Sequence, residues 1–305
     1  MRNEELGMGK DKTFILQYAG KIFIFFLLIG FFGCSSAPKK PTEIYTDRNI
    51  AAGQLNMANQ SATRGRYEDA LFLLGQARRL AVSADDPQLR IKTSIAKGNI
   101  LFSMGRQTEA LSELESAAAE GDDSGENILA SLARIYIIRA NLRLLEESGK
   151  NNSAVKELTD KLNREMSAVK SDSLSNAAGY VTLGMAEKLQ GRWVEAESAV
   201  KKALDIHEKG RYLEDAAYDW FIIASIRSMA GNYNSSLEAL KQSIHFDRRA
   251  ENGFGLATSW QATGDVYKKA GKDKESRTAY RRAAEIFSAI NENEKADLNS
   301  NLAGS

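Results

Sequence analysis

"WQATGDVYKKAGKDKESRTAYRRAAEIF", residues 260–287, sets small residues at Gly264, Gly271, Ser276 and Ala283 among large ones at Trp260, Tyr267 and Tyr280. The steps from Ser276 to Tyr280 to Ala283 are four and then three residues, the spacing of neighbours on one helix face. Gly271 falls where glycine takes the left-handed conformation that ends a helix without a side-chain penalty. The stretch therefore reads as helix, tight turn, helix. Small residues sit where the two helices cross, and larger ones fill the space beside the crossing.

Working outward, the same arrangement recurs. Gly65, Gly105, Gly149, Gly191, Gly231 and Gly271 stand 40, 44, 42, 40 and 40 residues apart. Five residues after each lie Ala70, Ala110, Ala154, Ala196, Ser236 and Ser276, and nine after lie Leu74, Leu114, Leu158, Val200, Leu240 and Tyr280. Twelve after lie Ala77, Ala117, Lys161, Ala203, Ser243 and Ala283; seven before lie Ala58, Gly98, Leu142, Gly184, Ala224 and Gly264. Lys161 and Leu142 make the third unit the deviant. Ala70, Gly98, Ala110, Ala154, Gly184, Ala196, Ala224, Gly264 and Ala283 are expected at helix crossings. From Gln88 onward no proline interrupts the chain, which favours helix throughout.

This pattern resembles the tetratricopeptide repeat, whose usual period is about 34 residues. The resemblance covers roughly residues 50 to 289 as six units, and Trp260, Gly264, Tyr267, Gly271, Tyr280 and Ala283 occupy the motif's places, with Ser276 for its alanine. It implies an all-α, right-handed superhelical solenoid over 49–290, of about six helical hairpins with a roughly 40-residue period. The longer period implies helices extended by part of a turn. The degenerate third unit implies a local change of pitch. Each unit would bury its apolar face against the next.

In such repeats the first helices line an inner groove. Carried over by position, the groove holds Leu55, Asn59 and Thr63, then Lys92, Ile95, Asn99 and Phe102, then Tyr136, Arg139 and Arg143. Later units give Val181, Met185 and Lys188, then Tyr218, Phe221, Ser225 and Met229, and finally Gln261, Asp265 and Lys268. The alternative place for each is the packing between units. The amides of Asn59 and Asn99 can meet a peptide backbone with donor and acceptor together. Aromatic groups and methionine are the usual interface anchors. Leu55 stands where chaperone-binding members of the family carry a lysine, so their carboxylate clamp is not expected.

The amino terminus raises a separate question. In "KIFIFFLLIGFFGCSSAPKKPTE", residues 21–43, the apolar run Ile22–Gly33 is 12 residues long. That is about 18 Å of helix, against a bilayer core of about 30 Å. With Arg2, Lys10, Lys12 and Lys21 before it, the run reads as a signal peptide over 1–33, a short membrane anchor being the alternative. Met8 is a second candidate start. "FFGC" resembles a bacterial lipobox, which implies cleavage before Cys34 and its acylation, with 34–48 as acylated cysteine and tether. Phe31 and Phe32 depart from the usual pattern. Ser35 lacks the acidic inner-membrane retention signal, so the implied place is the outer membrane facing the periplasm. Residues 291–305 read as a polar tail.

Composition narrows the function. The net charge is +1, and removing residues 1–33 leaves acidic and basic residues equal in number, so no basic excess favours nucleic acid. One cysteine and two histidines, His207 and His245, do not assemble a zinc site. Both histidines are expected near helix carboxyl ends, partly exposed, in structural roles. "EGDDSGEN", 120–127, lacks the alternating ligands of a calcium loop and reads as a linker. No cofactor and no catalytic group is expected. The expected function is a membrane-held envelope adaptor that binds a protein or peptide. The alternatives are a solute-binding accessory of a transporter, which calls for an enclosed cavity, and structural self-association.

Overall fold

The computed structural model describes residues 46–149 and 152–304. Cys34, the signal peptide and the tether up to residue 45 lie outside the described residues. Among the described residues thirteen helices follow one another: α1 Thr46–Thr63, α2 Tyr67–Ser83, α3 Pro87–Ser103, α4 Gln107–Asp123, α5 Asn127–Ser148, α6 Asn152–Val169 and α7 Ser173–Leu189. Then come α8 Trp193–Gly210, α9 Leu213–Met229, α10 Tyr233–Ala250, α11 Gly253–Lys269, α12 Asp273–Ala289 and α13 Asn293–Gly304. The first twelve pair into six antiparallel hairpins, stacked as the repeat predicts, and no strand occurs among the described residues.

Local chemistry sets the helix ends. Asp86 accepts a hydrogen bond from the Leu89 amide at 3.0 Å, ahead of Pro87 in the first turn of α3. Asp172 and Asn252 cap α7 and α11 in the same way, satisfying amides that would otherwise lack partners. Gly105 (φ +78°) lets the Arg106 amide reach the Leu101 carbonyl at 2.9 Å and close the end of α3. Between hairpins the left-handed position is filled by Asp85, Arg211, Glu251 and Asn291, where only Gly125 is a glycine.

The crossings follow the spacing. A Cβ added to Gly98, Gly184 or Gly264 would stand 2.6, 2.3 or 2.6 Å from Leu114, Val200 or Tyr280, each sixteen residues on. Ala70, Ala110, Ala196, Ala224 and Ala283 are buried. Where serine replaces alanine, its hydroxyl finds a carbonyl across the crossing: Ser236 donates to Ala224 at 2.7 Å and Ser276 to Gly264 at 2.9 Å.

Three segments differ from the sequence reading. In unit three the buried stripe is Val155, Thr159 and Leu162, so Ala154 is only half-buried and Lys161 faces out to pair with Glu157 at 2.7 Å. Helix α5 has 22 residues where most first helices have 17, which advances the register of α6 by one. Within 120–127, Gly121 belongs to α4 and packs against Ala130; only Ser124–Glu126 forms the turn. In place of a polar tail, α13 lies on α12 with Ala296 and Asn299 buried, covering the apolar face of the last unit.

The solenoid curls until its first hairpin meets its last. Helices α1 and α11 touch. The Tyr67 and Phe254 rings meet edge-on at 5.8 Å, and Arg64 faces Glu251 at 3.5 Å. Burial, and then the nearby Glu292 carboxylate, push the Tyr67 phenol well above its usual range. No helix among the described residues is long and apolar enough to cross a membrane.

Candidate binding cavity

Closing the ring turns the expected groove into a lumen of about 730 Å³. Its lining comes from all six hairpins, and its volume falls in the range of small-ligand pockets, about 300–1,000 Å³. Leu55, Asn59, Thr63, Lys92, Ile95, Asn99, Tyr136, Arg139, Arg143, Val181, Tyr218 and Phe221 all line it.

The other groove candidates lie elsewhere. Met185 is buried in the core, its sulfur 3.9 Å from the Tyr218 hydroxyl. Phe102 packs under the Arg143 guanidinium at 5.5 Å. Asp265 accepts from the Tyr280 hydroxyl at 2.6 Å, and Gln261 accepts from Asn299 of α13 at 3.2 Å, so the terminal helix takes the amide that the groove was to use. Met229, at the end of α9, is outside the lumen and 36% exposed. Lys188 is 3% exposed and held by Glu146, between units rather than in the groove.

The lumen carries charged groups of both signs. On the α3 and α5 wall stand Lys92, Arg139 and Arg143, none with a carboxylate partner among the described residues. Arg139 is fixed by neutral acceptors, its Nε donating to the Thr182 hydroxyl at 3.0 Å and its Nη2 to the Ala178 carbonyl at 2.7 Å. Helices α9 and α10 supply Glu214, Asp215, Asp219 and Asp247, and the Arg139 charge acts on Asp219 and His207. Tyr67, Tyr136, Tyr212, Tyr218, Phe221 and Phe254 also line the lumen. Sequence reasoning missed these acids, the cap residues Tyr212 and Asn252, and Phe254 in the first turn of α11, because no single repeat shows which residues share the lumen once the ends of the solenoid meet. The cluster Glu214, Asp215 and Asp219 was the available signal.

His207 is 5% exposed, not partly exposed as expected, and its Nδ1 lies 2.7 Å from Asp219 Oδ2. Burial lowers the His207 imidazole, but the Asp219 hydrogen bond and the charges of Asp219 and Asp215 outweigh it, so its pKa rises. Burial pushes Asp219 up to about 6 against the His207 bond. It also pushes Asp247 up to about 7, although Asn252 donates to it at 2.8 Å and Ser259 at 3.4 Å. Burial and then the Asp215 charge raise Glu214.

These shifts share a sign. An aspartate whose folded pKa is raised binds more protons in the native state than unfolded, so stability falls as pH rises from about 4 to about 7. The raised His207 acts in the same sense, its stabilisation being lost as pH climbs past its folded value. The thermal midpoint is expected to decline between about pH 5 and about pH 7.5, and Asp247→Asn to flatten much of that decline. Circular-dichroism melts across the interval measure both; a midpoint that climbs with pH would contradict this balance.

A second hollow, of about 990 Å³, lies between α7, α8, α9 and the turn before α10, beside Tyr180, Trp193 and Ile206. Its Glu197 is paired with Arg227 at 2.7 Å and held down to about 2 by that bond, so its charge is already balanced. Among the described residues no three histidine, cysteine or acidic side chains group to hold a metal.

No family model and no curated protein matches the chain. Solved structures do match its fold. A Rap protein complexed with competence and sporulation factor aligns over 83% of this chain and 70% of its own, at 16% identity and a TM-score of 0.54. BtubC of P. vanneervenii covers 79% of this chain and 92% of its own, at 14% identity and a TM-score of 0.48. A thermophilic tetratricopeptide-repeat protein of Thermus thermophilus covers 83% and 98%, at 14% identity and a TM-score of 0.40.

Proposed function

Starting from a chain that folds as a tetratricopeptide-like solenoid, we propose that it is an adaptor of the bacterial envelope, held by acylated Cys34 and binding a partner's extended segment in its lumen. The carrying observation is the ring itself: every hairpin contributes side chains to one cavity, and aromatic, amide and charged groups converge there. Such a lumen admits an extended chain and excludes a folded domain. The Rap protein of similar fold was crystallised with competence and sporulation factor, which supports a binding role for a solenoid of this shape. The reading involves no catalysis and no nucleic acid. The anchor rests on the sequence around Cys34: two or more acyl chains hold a protein stably where one is marginal, each buried methylene contributing about 0.8 kcal/mol. The outer membrane, facing the periplasm, is the proposed location.

Photocrosslinking from Phe221 or Tyr218 in intact cells is expected to trap a specific protein or peptide. Capture of nothing above a control placed at exposed Val194 would count against the adaptor. Cys34→Ser should move the protein from the membrane to the soluble fraction. A variant that stays acylated and membrane-bound would refute the anchor.

The closure of the ring favours one second reading, a solute-binding accessory lipoprotein of a transporter. It calls for a small molecule retained in the lumen, which native mass spectrometry of the purified protein would reveal.

A further inference from the structure

In the later units one side of each first helix is covered by the second helix of the hairpin before it. The residue twelve positions before the turn glycine marks that contact. In unit four a Cβ added to Gly179 would stand 2.8 Å from Met166 of α6. In unit five Asp219 meets His207 of α8 at 2.7 Å, and in unit six Ser259 meets Ser243 of α10 at 2.9 Å. The matching residue of unit one is Gly53, and a Cβ added there has nothing within 4 Å. Beside it on α1, Ile50 and Met57 are exposed, whereas the same positions of units two, four, five and six are buried or half-buried.

This open face continues onto α2. Ile50, Gln54 and Met57 share one side of α1, and Gln54 Nε2 donates to Gln76 Oε1 at 2.8 Å, joining that side to the second helix. Glu68, Phe72, Gly75 and Arg79 follow at spacings of four, three and four along α2, and all are exposed. Phe72 is 65% exposed, whereas Ser112, Ser198, Glu238 and Thr278 hold its place in units two, four, five and six. Ring closure leaves the face open, because it uses only the turn end of the hairpin, where Arg64 and Tyr67 meet Glu251 and Phe254. At the far end of the solenoid α13 covers the last unit.

We propose that this face of the first hairpin docks an amphipathic α-helix of a partner protein, lying over Gly53 between Ile50, Met57 and Phe72 and antiparallel to α1. The class of occupant follows from the stacking interface that the face continues: the same side of α7, α9 and α11 is covered by a helix of this chain. A glycine floor admits a close approach and a long side chain, as Gly179 admits Met166. The direction follows from charge. A helix antiparallel to α1 runs parallel to α2, so its amino end, with free N–H groups, meets Glu68, and its carboxyl end, with free carbonyls, meets Arg79. None of these residues lines the lumen, so the helix and a lumen occupant can be bound together.

The probe is a fluorescein-labelled peptide of Asn152–Val169, the α6 sequence that covers Gly179, held helical by a lactam between the outward Glu157 and Lys161. Its anisotropy is read against full-length protein in phospholipid nanodiscs. Saturable binding is expected, and Val194→Ser, exposed on α8, should leave it unchanged. Gly53→Leu fills the slot and should weaken binding about tenfold or more. Nothing crowds that position and leucine favours helix, so the melting midpoint of this variant should be no lower than the parent's. Glu68→Lys with Arg79→Glu should weaken binding about threefold or more. No saturable binding, or binding that Gly53→Leu or the charge reversal leaves intact, overturns the proposal. A Cys34→Ser chain that sediments as a dimer dissolved by Gly53→Leu would also overturn it, assigning the face to a second copy. Flotation of that chain with phospholipid vesicles, lost in Phe72→Ser, would overturn it by assigning the face to a membrane.

Discussion

Glu146→Ala should destabilise the protein by about 3 kcal/mol, the lower end of the cost of removing one partner from a buried ion pair. Lys188 is 3% exposed, and its Nζ lies 2.7 and 3.0 Å from the two Glu146 oxygens and 3.2 Å from the Ser225 hydroxyl. These groups sit on α5, α7 and α9, the first helices of three successive hairpins, so the pair stitches the inner ring together. Alanine at 146 leaves an ammonium among packed helices with one neutral acceptor. The cost stays near the lower end because Glu146 is 34% exposed and water can follow the vacated space. Lys188→Met should cost less, since an apolar chain of similar length fills the same slot and leaves only a carboxylate that reaches solvent. Methionine at 188 should also recover most of the loss when added to Glu146→Ala, because the stranded charge is then gone. Urea unfolding of the two single variants and the double variant measures this. A Glu146→Ala protein within about 0.5 kcal/mol of the parent would mean that the pair carries no such weight.

Lys188 also shows where sequence reasoning stops. The repeat register placed it on the first-helix face that lines a groove, and that much is geometry within one helix. Whether a side chain on that face meets solvent or the next unit depends on how closely units stack, which no single repeat encodes. The hairpins themselves were legible because glycine spacing and crossing residues are local: Gly98 with Leu114, and Gly264 with Tyr280, need only two adjacent helices. Ala154 gave way to Val155 because the longer α5 shifts the register by one, a change that an aligned spacing smooths over. Ring closure was further out of reach. Small rotations add along a solenoid, and only their sum decides that Tyr67 meets Phe254. Glu214 and Asp215 are ordinary first-turn acids of α9 until closure brings the Thr63 hydroxyl and Arg64 of the first hairpin beside Glu214.

Gly184→Ala tests the closest crossing, and its sign is opposite to that of the same change elsewhere in the chain. On propensity alone alanine should gain about 1 kcal/mol in a helix interior. At Gly75, in α2 with nothing within 4 Å of an added Cβ, that gain should appear as a higher melting midpoint. At Gly184 the new Cβ would stand 2.3 Å from Val200 Cγ2 and 3.0 Å from the Ala196 carbonyl oxygen. Valine has little χ1 freedom with which to retreat, and the carbonyl belongs to the backbone of α8, so the helices must separate. Overpacking of this kind costs about 1–3 kcal/mol, enough to exceed the propensity gain. The midpoint should therefore fall, by about 2–4 °C for each net kcal/mol in a chain of this size. Val200→Ala in the same protein should restore part of the loss by removing the nearer of the two clashes, leaving the carbonyl contact. If Gly184→Ala instead raises the midpoint as Gly75→Ala does, α7 and α8 do not approach as closely as described, and the small-residue spacing has another cause.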